Sequence, residues 1–302
     1  MSLLQAIVLG IVQGLTEFIP VSSTAHLVFA ARLVGLYDGM ETALKAQQTT
    51  ATIAVVQLGT LLAVVIYFAR DIFNITRAFI ADHLALLIGK RAVVNSSSTV
   101  ATAGWLSQDA WLGWLVIIGS VPVGVVGLLF KKQIEGTFTK NLWVIATMMI
   151  VVALLLALAE LVGRRKRSMA DLGMGDSLAV GCAQCLALIP GSSRSGSTIM
   201  AGLFVGELRE TAARFSFLLS IPAIAASGVL ELKEAIHKLP HGSYLALAVA
   251  TIISGIVGYG SIWFLLRYLR THSTGVFIIY RVIVGGLILL ALSIGYIPAA
   301  VA

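Results

Sequence analysis

Apolar residues run along this chain in blocks too long for a soluble core, separated by short polar stretches. Six blocks, near 50–69, 111–130, 141–162, 213–231, 243–266 and 275–297, each hold close to 20 residues or more. That is the length a helix needs to cross a hydrocarbon layer of about 30 Å. Two further stretches are apolar but broken in the middle. One covers 2–36 with a break at Ile19-Pro20-Val21-Ser22-Ser23, the other 176–206 with a break at Ile189-Pro190-Gly191-Ser192-Ser193. A helix from Ser2 to Glu17 would extend only about 24 Å at 1.5 Å per residue, too short to cross. Each broken stretch therefore predicts a helix, loop, helix that dips into the membrane and returns. The expected fold class is an all-α polytopic membrane protein with six transmembrane helices and two re-entrant dips.

The two breaks resemble each other. Gly10-x-x-Gln13 followed by Ile19-Pro20-Val21-Ser22-Ser23 recurs as Gly181-x-x-Gln184 followed by Ile189-Pro190-Gly191-Ser192-Ser193. This predicts an inverted repeat within one transmembrane domain spanning 1–302, with halves of about 1–130 and 141–302. Paired broken helices at corresponding places point to a binding site between them. The long loop 78–110 has an apolar-charged first half suited to an interfacial helix. Its Asn95-Ser96-Ser97-Ser98-Thr99 run suits a flexible linker.

Composition agrees with lipid as the main solvent: 58% of the 302 residues are hydrophobic and 12% charged, where soluble chains carry about 25% charged. The net charge of +7 is spread between apolar runs, which excludes a nucleic-acid partner and points to cytoplasmic loops. With both dips re-entrant, Arg70, Arg77, Lys90, Arg91, Arg164, Arg165, Lys166, Arg167, Arg209, Arg214, Arg267 and Arg270 fall on one side, and Lys45, Lys131, Lys132, Lys140, Lys233 and Lys238 on the other. Twelve against six makes the first side cytoplasmic and places both termini outside. The first basic residue is Arg32, so a cleaved leader is not expected. Cys182 and Cys185 are expected to be two buried thiols without metal or redox chemistry.

In the first dip, Gln13 and Glu17 are spaced to share one helix face. Ser22, Ser23 and Thr24 are N-cap types for the outbound helix, and Ser23 and His26 lie three residues apart on its first turn. A carboxylate and an imidazole at membrane depth cost about 2.5 to 3.5 kcal/mol each when charged, so they are expected to be functional. In the second dip, Ser192-Ser193-Arg194-Ser195-Gly196-Ser197-Thr198 follows Gly191. Glycines let backbone approach a ligand, a helix N-terminus attracts anions, and a guanidinium forks onto phosphate. The expected guest is a lipid-linked phosphate or diphosphate, its tail left among membrane lipids. Glu17 and Gln13 are oxygen donors that Mg²⁺ or Ca²⁺ accepts beside substrate phosphates; zinc is not suggested.

The runs Gln13-Gly14-Leu15-Thr16-Glu17-Phe18-Ile19-Pro20-Val21-Ser22-Ser23-Thr24-Ala25-His26-Leu27 and Pro190-Gly191-Ser192-Ser193-Arg194-Ser195-Gly196-Ser197-Thr198 closely resemble the two signature motifs of the undecaprenyl-diphosphate phosphatases of the bacitracin-resistance family. Gln57-Leu58-Gly59 and Phe215-Ser216-Phe217-Leu218-Leu219-Ser220-Ile221-Pro222 resemble its shorter features in the same order. The resemblance implies an integral membrane phosphatase of the bacterial cytoplasmic membrane that regenerates undecaprenyl phosphate for cell-wall synthesis. Carried over by position, the family's E/Q-x-x-x-E motif falls on Gln13 and Glu17, its serine and histidine on Ser23 and His26, and its phosphate-binding stretch on Ser193, Arg194, Ser195 and Thr198; with the reading of the residues themselves, this makes Glu17, Ser23, His26 and Arg194 the expected catalytic residues. Diphosphate binding would fall to Gln13, Ser22, Thr24, Gly191, Ser192, Ser193, Ser195, Gly196 and Thr198. Three departures stand out: Ala25 where the family has Gly, Gln13 as the less acidic option, and Thr52-Ile53 in place of an aromatic-acidic pair. The last two weaken a multi-carboxylate metal site.

Two orders of chemistry stay open at this stage: attack by Ser23 with His26 as base, or His26 activating a water or attacking itself. A transporter or polyprenyl-phosphate flippase is the alternative, since inverted repeats with broken helices also build transporters. A second copy of the chain is left open as a partner.

Overall fold

The computed structural model describes residues 1–39, 42–88, 106–130, 141–238 and 244–299. Eleven α-helices follow one another among them: α1 Leu3–Phe18, α2 Ser23–Leu33, α3 Thr42–Tyr67, α4 Ala69–Leu87, α5 Gln108–Leu129, α6 Leu142–Val162, α7 Met174–Gln184, α8 Arg194–Phe204, α9 Arg209–Lys238, α10 Tyr244–Leu269 and α11 Gly275–Ser293. No strand forms among the described residues, where Arg167 and Glu207 make one isolated bridge. Among the described residues five helices are long and apolar enough to cross a membrane: α3 over Gln48–Tyr67, α5, α6, α10 and α11. The expected sixth span, 213–231, lies within α9, which is helical throughout its length but is not among the five. The chain is thus an all-helical, multi-pass membrane protein.

Both broken stretches fold as two short helices around a loop. Ser2 caps α1 through a reciprocal pair with Gln5, and the helix ends at Phe18, just before Pro20. Proline cannot donate the next backbone hydrogen bond, so the helix stops there. In the second stretch α7 stops earlier than the apolar pattern suggests, at Gln184, and tightens into a 3-10 turn over Cys185–Leu188. Contrary to expectation the thiols are not both buried: Cys182 is exposed and Cys185 is half-buried. Cys182 is on α7, and Cys185 opens the 3-10 turn, its thiol donating to the Gly181 carbonyl at 3.7 Å.

Close backbone packing locks the short helices to the long ones. α1 lies along α10, and a Cβ on Gly14 would come within 2.8 Å of the Ser254 carbonyl oxygen. α7 lies along α5, where a Cβ on Gly181 would sit 2.2 Å from the Gly119 carbonyl oxygen. Small residues of this kind let membrane helices touch where apolar burial supplies no drive. The main core lies beside the breaks: Phe18 stacks edge-on to Phe217 at 5.3 Å, with Phe68, Ile199, Leu203 and Leu265 around them.

α4 covers the first part of loop 78–110 and begins well before it, at Ala69. It buries no residue and exposes Phe73, Ile80, Leu84 and Leu87. Phe79 and His83 pack on Trp114 of α5. The serine-rich run falls in 89–105, outside the described residues, as do Lys90, Arg91, Lys131, Lys132 and Lys140.

Several basic residues of the first side gather with carboxylates at one end of the bundle. Glu160 at the end of α6 accepts from Arg209, Arg165 and the backbone and hydroxyl of Thr274. Arg214 pairs with Asp71, Arg270 with Glu210, and Arg167 with Asp176. Glu207, in the turn after α8, is fully buried beside this last pair, and neither of its carboxyl oxygens has a hydrogen-bond partner among the described residues. Burial, reinforced by the Asp176 charge and opposed by Arg167, pushes its carboxyl up to about 8. Folding therefore takes up a proton here between the ordinary carboxylate value of 4.5 and about 8. Stability falls as pH rises through that window, by about 1.4 kcal/mol per pH unit at most. Glu207→Gln, which mimics the protonated acid, should melt with the wild type near pH 5 and several degrees above it at pH 8, read by thermal unfolding in detergent.

Candidate functional site

The end of α1, the start of α2 and the start of α8 meet at the two breaks. Gln13 and Glu17 share a face of α1, as their spacing predicts: the Gln13 amide donates to Glu17 Oε2 at 3.0 Å and to Thr60 Oγ1 at 3.2 Å. From the other break, Arg194 Nη2 donates to Glu17 Oε1 at 2.7 Å, across 177 residues of chain. Both side chains are mostly buried, at 7% exposure for Glu17 and 15% for Arg194. A buried charge that loses its partner is far costlier than an intact pair. The ion pair is therefore the resting state of two groups that the sequence places in separate halves.

Backbone strain marks both loops. Ser22 (φ 78°) and Ser193 (φ 68°) hold the N-cap positions of α2 and α8 in the left-handed region, which costs a non-glycine residue of order 1 to 3 kcal/mol. Gly191 (φ 92°) is confined to glycine twice over, because a Cβ there would lie 2.1 Å from the Ile145 carbonyl oxygen. Ser193 Oγ caps α8 by accepting from Gly196 N at 3.1 Å and touches Ser195 Oγ, whose hydroxyl reaches the Ile19 carbonyl at 3.4 Å. The second break is thereby tied onto the first. Ser22, by contrast, makes no side-chain cap on α2.

The remaining expected residues divide. Ser23 is half-buried, makes no side-chain hydrogen bond among the described residues, and stands on the first turn of α2; Thr24 is exposed. Thr198 is fully buried and its hydroxyl is spent on the Arg194 carbonyl at 2.8 Å and on Ser216, so it braces the turn behind Arg194. Ser192 and Ser197 are buried with hydroxyls that have no partner among the described residues. His26 is not joined to Ser23. Its Nδ1 lies 2.7 Å from the Ser22 carbonyl and its Nε2 2.6 Å from the Tyr280 hydroxyl. A carbonyl only accepts, so Nδ1 carries the proton; when the ring is neutral, the Tyr280 hydroxyl is then the donor to Nε2. Thr52, at one of the departures from the family pattern, is buried and paired with the Tyr37 hydroxyl at 2.8 Å.

Two residues that sequence reasoning missed complete the arrangement. Arg281 is fully buried in the middle of α11, where its guanidinium donates to the carbonyls of Pro20, Gly191 and Ser192 at the breaks and Met148 and Met149 in α6. Tyr280 beside it holds His26. An arginine inside an otherwise apolar span was the available signal.

As a metal site, the donor set is narrow. Among the described residues no group of three or more His, Cys, Asp or Glu could hold an ion, and both oxygens of Glu17 are already engaged. Among the described residues the site fits no resident cage. It does fit Mg²⁺ or Ca²⁺ arriving on a diphosphate, since such ions are commonly held by one or two carboxylates plus substrate oxygens.

These features define a polytopic membrane protein with a buried arginine–carboxylate centre between two broken helices. The chain belongs to the bacitracin resistance protein BacA family, whose model it matches over residues 6–287. It is 49% identical over 289 residues to an undecaprenyl-diphosphatase of Syntrophobacter fumaroxidans, covering 96% of this chain and 97% of that one. Undecaprenyl-diphosphatases of Mycolicibacterium vanbaalenii and Chloroherpeton thalassium are each 46% identical, across 99% of this chain and 100% of theirs.

Proposed function

We infer that the chain hydrolyses undecaprenyl diphosphate to undecaprenyl phosphate and inorganic phosphate, returning the lipid carrier to cell-wall synthesis. Full-length membership of a family whose relatives are named for this hydrolysis carries the inference. The transporter or flippase reading loses its support for the same reason. With purified protein in detergent and a polyprenyl diphosphate, one orthophosphate should be released per lipid. A lipid bound but never hydrolysed would overturn the reading.

In the proposed mechanism the diphosphate takes over Arg194 from Glu17. The guanidinium then carries the charge that develops on the phosphoryl oxygens, together with the start of α2, whose N–H groups the Ser22 hydroxyl leaves uncapped. The Ser23 hydroxyl attacks the terminal phosphorus, the bond to the bridging oxygen breaks, and undecaprenyl phosphate departs. Glu17, released from Arg194, takes the serine proton. Water that displaces the Tyr280 hydroxyl gives a proton to His26 Nε2 and attacks the phosphoserine, while Glu17 returns its proton to the departing Ser23 oxygen, giving orthophosphate and restoring Ser23. An incoming Mg²⁺ or Ca²⁺, held by Glu17, Gln13 and the phosphates, would offset negative charge on the diphosphate.

The finer architecture belongs to the same proposal. Six spans and two re-entrant dips, arranged as an inverted repeat with both termini outside the cytoplasmic membrane, suit the short broken helices. They also suit the clustering of Arg165, Arg167, Arg209, Arg214 and Arg270 with their carboxylates at one end. A reporter fused after Arg167 should register as cytoplasmic and one fused at the C-terminus as external. The reverse at either point would overturn the topology.

A further inference from the structure

Arg281 and Tyr280 are consecutive residues, yet between them they reach both breaks and His26. A guanidinium at 0% exposure, with no ion pair among the described residues, is expensive inside a membrane protein. Here it is spent on backbone. Nη2 donates to Gly191 O at 2.9 Å and Ser192 O at 3.0 Å in the second break, Nη1 to Pro20 O at 3.3 Å in the first, and Nε to Met149 O at 3.0 Å in α6. The same group lies against the first turn of α8, Nη1 being 3.1 Å from where a Gly196 Cβ would stand. One rigid planar fork therefore sets the spacing between the loop that leads to Ser22 and Ser23 and the loop that leads to Arg194. Lysine could not reproduce it, having three donors on a single nitrogen instead of five in a plane.

Tyr280 acts on the third component. Its ring stacks on His26 with centroids 5.6 Å apart and planes 14° from parallel, while its hydroxyl meets Nε2. With Nδ1 fixed on the Ser22 carbonyl, the imidazole is held at both nitrogens in one tautomer. The Ser22 carbonyl belongs to the loop that Arg281 anchors through Pro20, so the two residues work on one structure.

We propose that Tyr280 and Arg281 are the positioning residues of the site: Arg281 fixes the distance between the two breaks, and Tyr280 holds His26 with Nδ1 protonated and Nε2 as the acceptor. The proposal rests on the breaks being the reaction centre. It is tested on the full chain in detergent with Tyr280→Phe and Arg281→Lys, measuring kcat and KM for phosphate release, thermal unfolding, and the ¹⁵N imidazole signals, with His26→Gln identifying those of His26. Tyr280→Phe should melt with the wild type, keep KM, lose about tenfold in kcat, and shift the His26 Nε2 resonance from its hydrogen-bonded position. Arg281→Lys should lose about 10²-fold in kcat, the scale of a misplaced reacting geometry, even when assayed below its own melting temperature. Wild-type kcat with an unmoved Nε2 signal in Tyr280→Phe would overturn the proposal. So would an Arg281→Lys chain that melts early yet turns over normally while folded, since that arginine would only hold the bundle. Failure of the wild type to release phosphate would instead sink the phosphatase reading, and the nitrogen signals would still decide whether Tyr280 orients His26.

Discussion

Arg194→Lys is expected to lower phosphate release by about 10²- to 10³-fold, the loss of 2 to 4 kcal/mol that follows removal of a preorganised electrostatic group. Charge alone does not secure the role. In the resting protein Arg194 Nη2 sits 2.7 Å from Glu17 Oε1, and the guanidinium has further donors in the same plane with which to engage a second oxygen. Diphosphate offers paired oxygens in a matching plane; an ammonium can meet them only one at a time. Lysine could still neutralise Glu17, so the variant should fold, and its defect should appear in kcat as well as in KM because the lost contacts strengthen as charge develops. Thermal unfolding run beside the assay separates this from collapse of the centre. Near-normal turnover by a folded Arg194→Lys protein would mean that a point charge is enough.

What could be read along the chain was whatever repeats at short range. Gln13 and Glu17 are four residues apart, so helix geometry alone puts them together, and they do hydrogen-bond. The Pro20 and Pro190 breaks were legible because each proline withholds a backbone donor and is followed by serines suited to start a new helix; proline alone does not decide, since α5 and α9 run through Pro122 and Pro222. Ser23 and His26, three residues apart, show the limit of that reasoning. Spacing allows contact, but the imidazole is captured by the Ser22 carbonyl and by Tyr280, 254 residues away. Arg281 was hidden for a related reason. Its partners are backbone carbonyls, which carry no signature in side-chain pattern, and a single arginine within 275–297 leaves the run apolar enough to read as an ordinary span. The sixth span shows the reverse difficulty: hydropathy finds 213–231, while the helix that holds it runs from Arg209 to Lys238 with charged residues near both ends.

Ser23→Ala should abolish turnover, by roughly 10³-fold or more if the hydroxyl is the attacking group, and the Cys variant should recover part of it at best. The site favours serine on two grounds. Its hydroxyl makes no side-chain hydrogen bond among the described residues, and it stands on the first turn of α2, where the helix N-terminus stabilises bound phosphoryl oxygens. His26 is less suited to attack: the Nε2 lone pair accepts from Tyr280 and the other nitrogen carries a proton donated to backbone. In the proposed mechanism His26 acts only later, once water has displaced the Tyr280 hydroxyl from Nε2. The intermediate distinguishes the orders of events. Wild-type protein quenched in mid-turnover should hold phosphate in an acid-stable, base-labile linkage that maps to Ser23, and none should be trapped in Ser23→Ala. An acid-labile, base-stable linkage would place the phosphoryl group on His26. Substantial activity in the alanine variant with no trapped phosphate would assign the attack to water and leave Ser23 as a hydrogen-bond donor to the substrate.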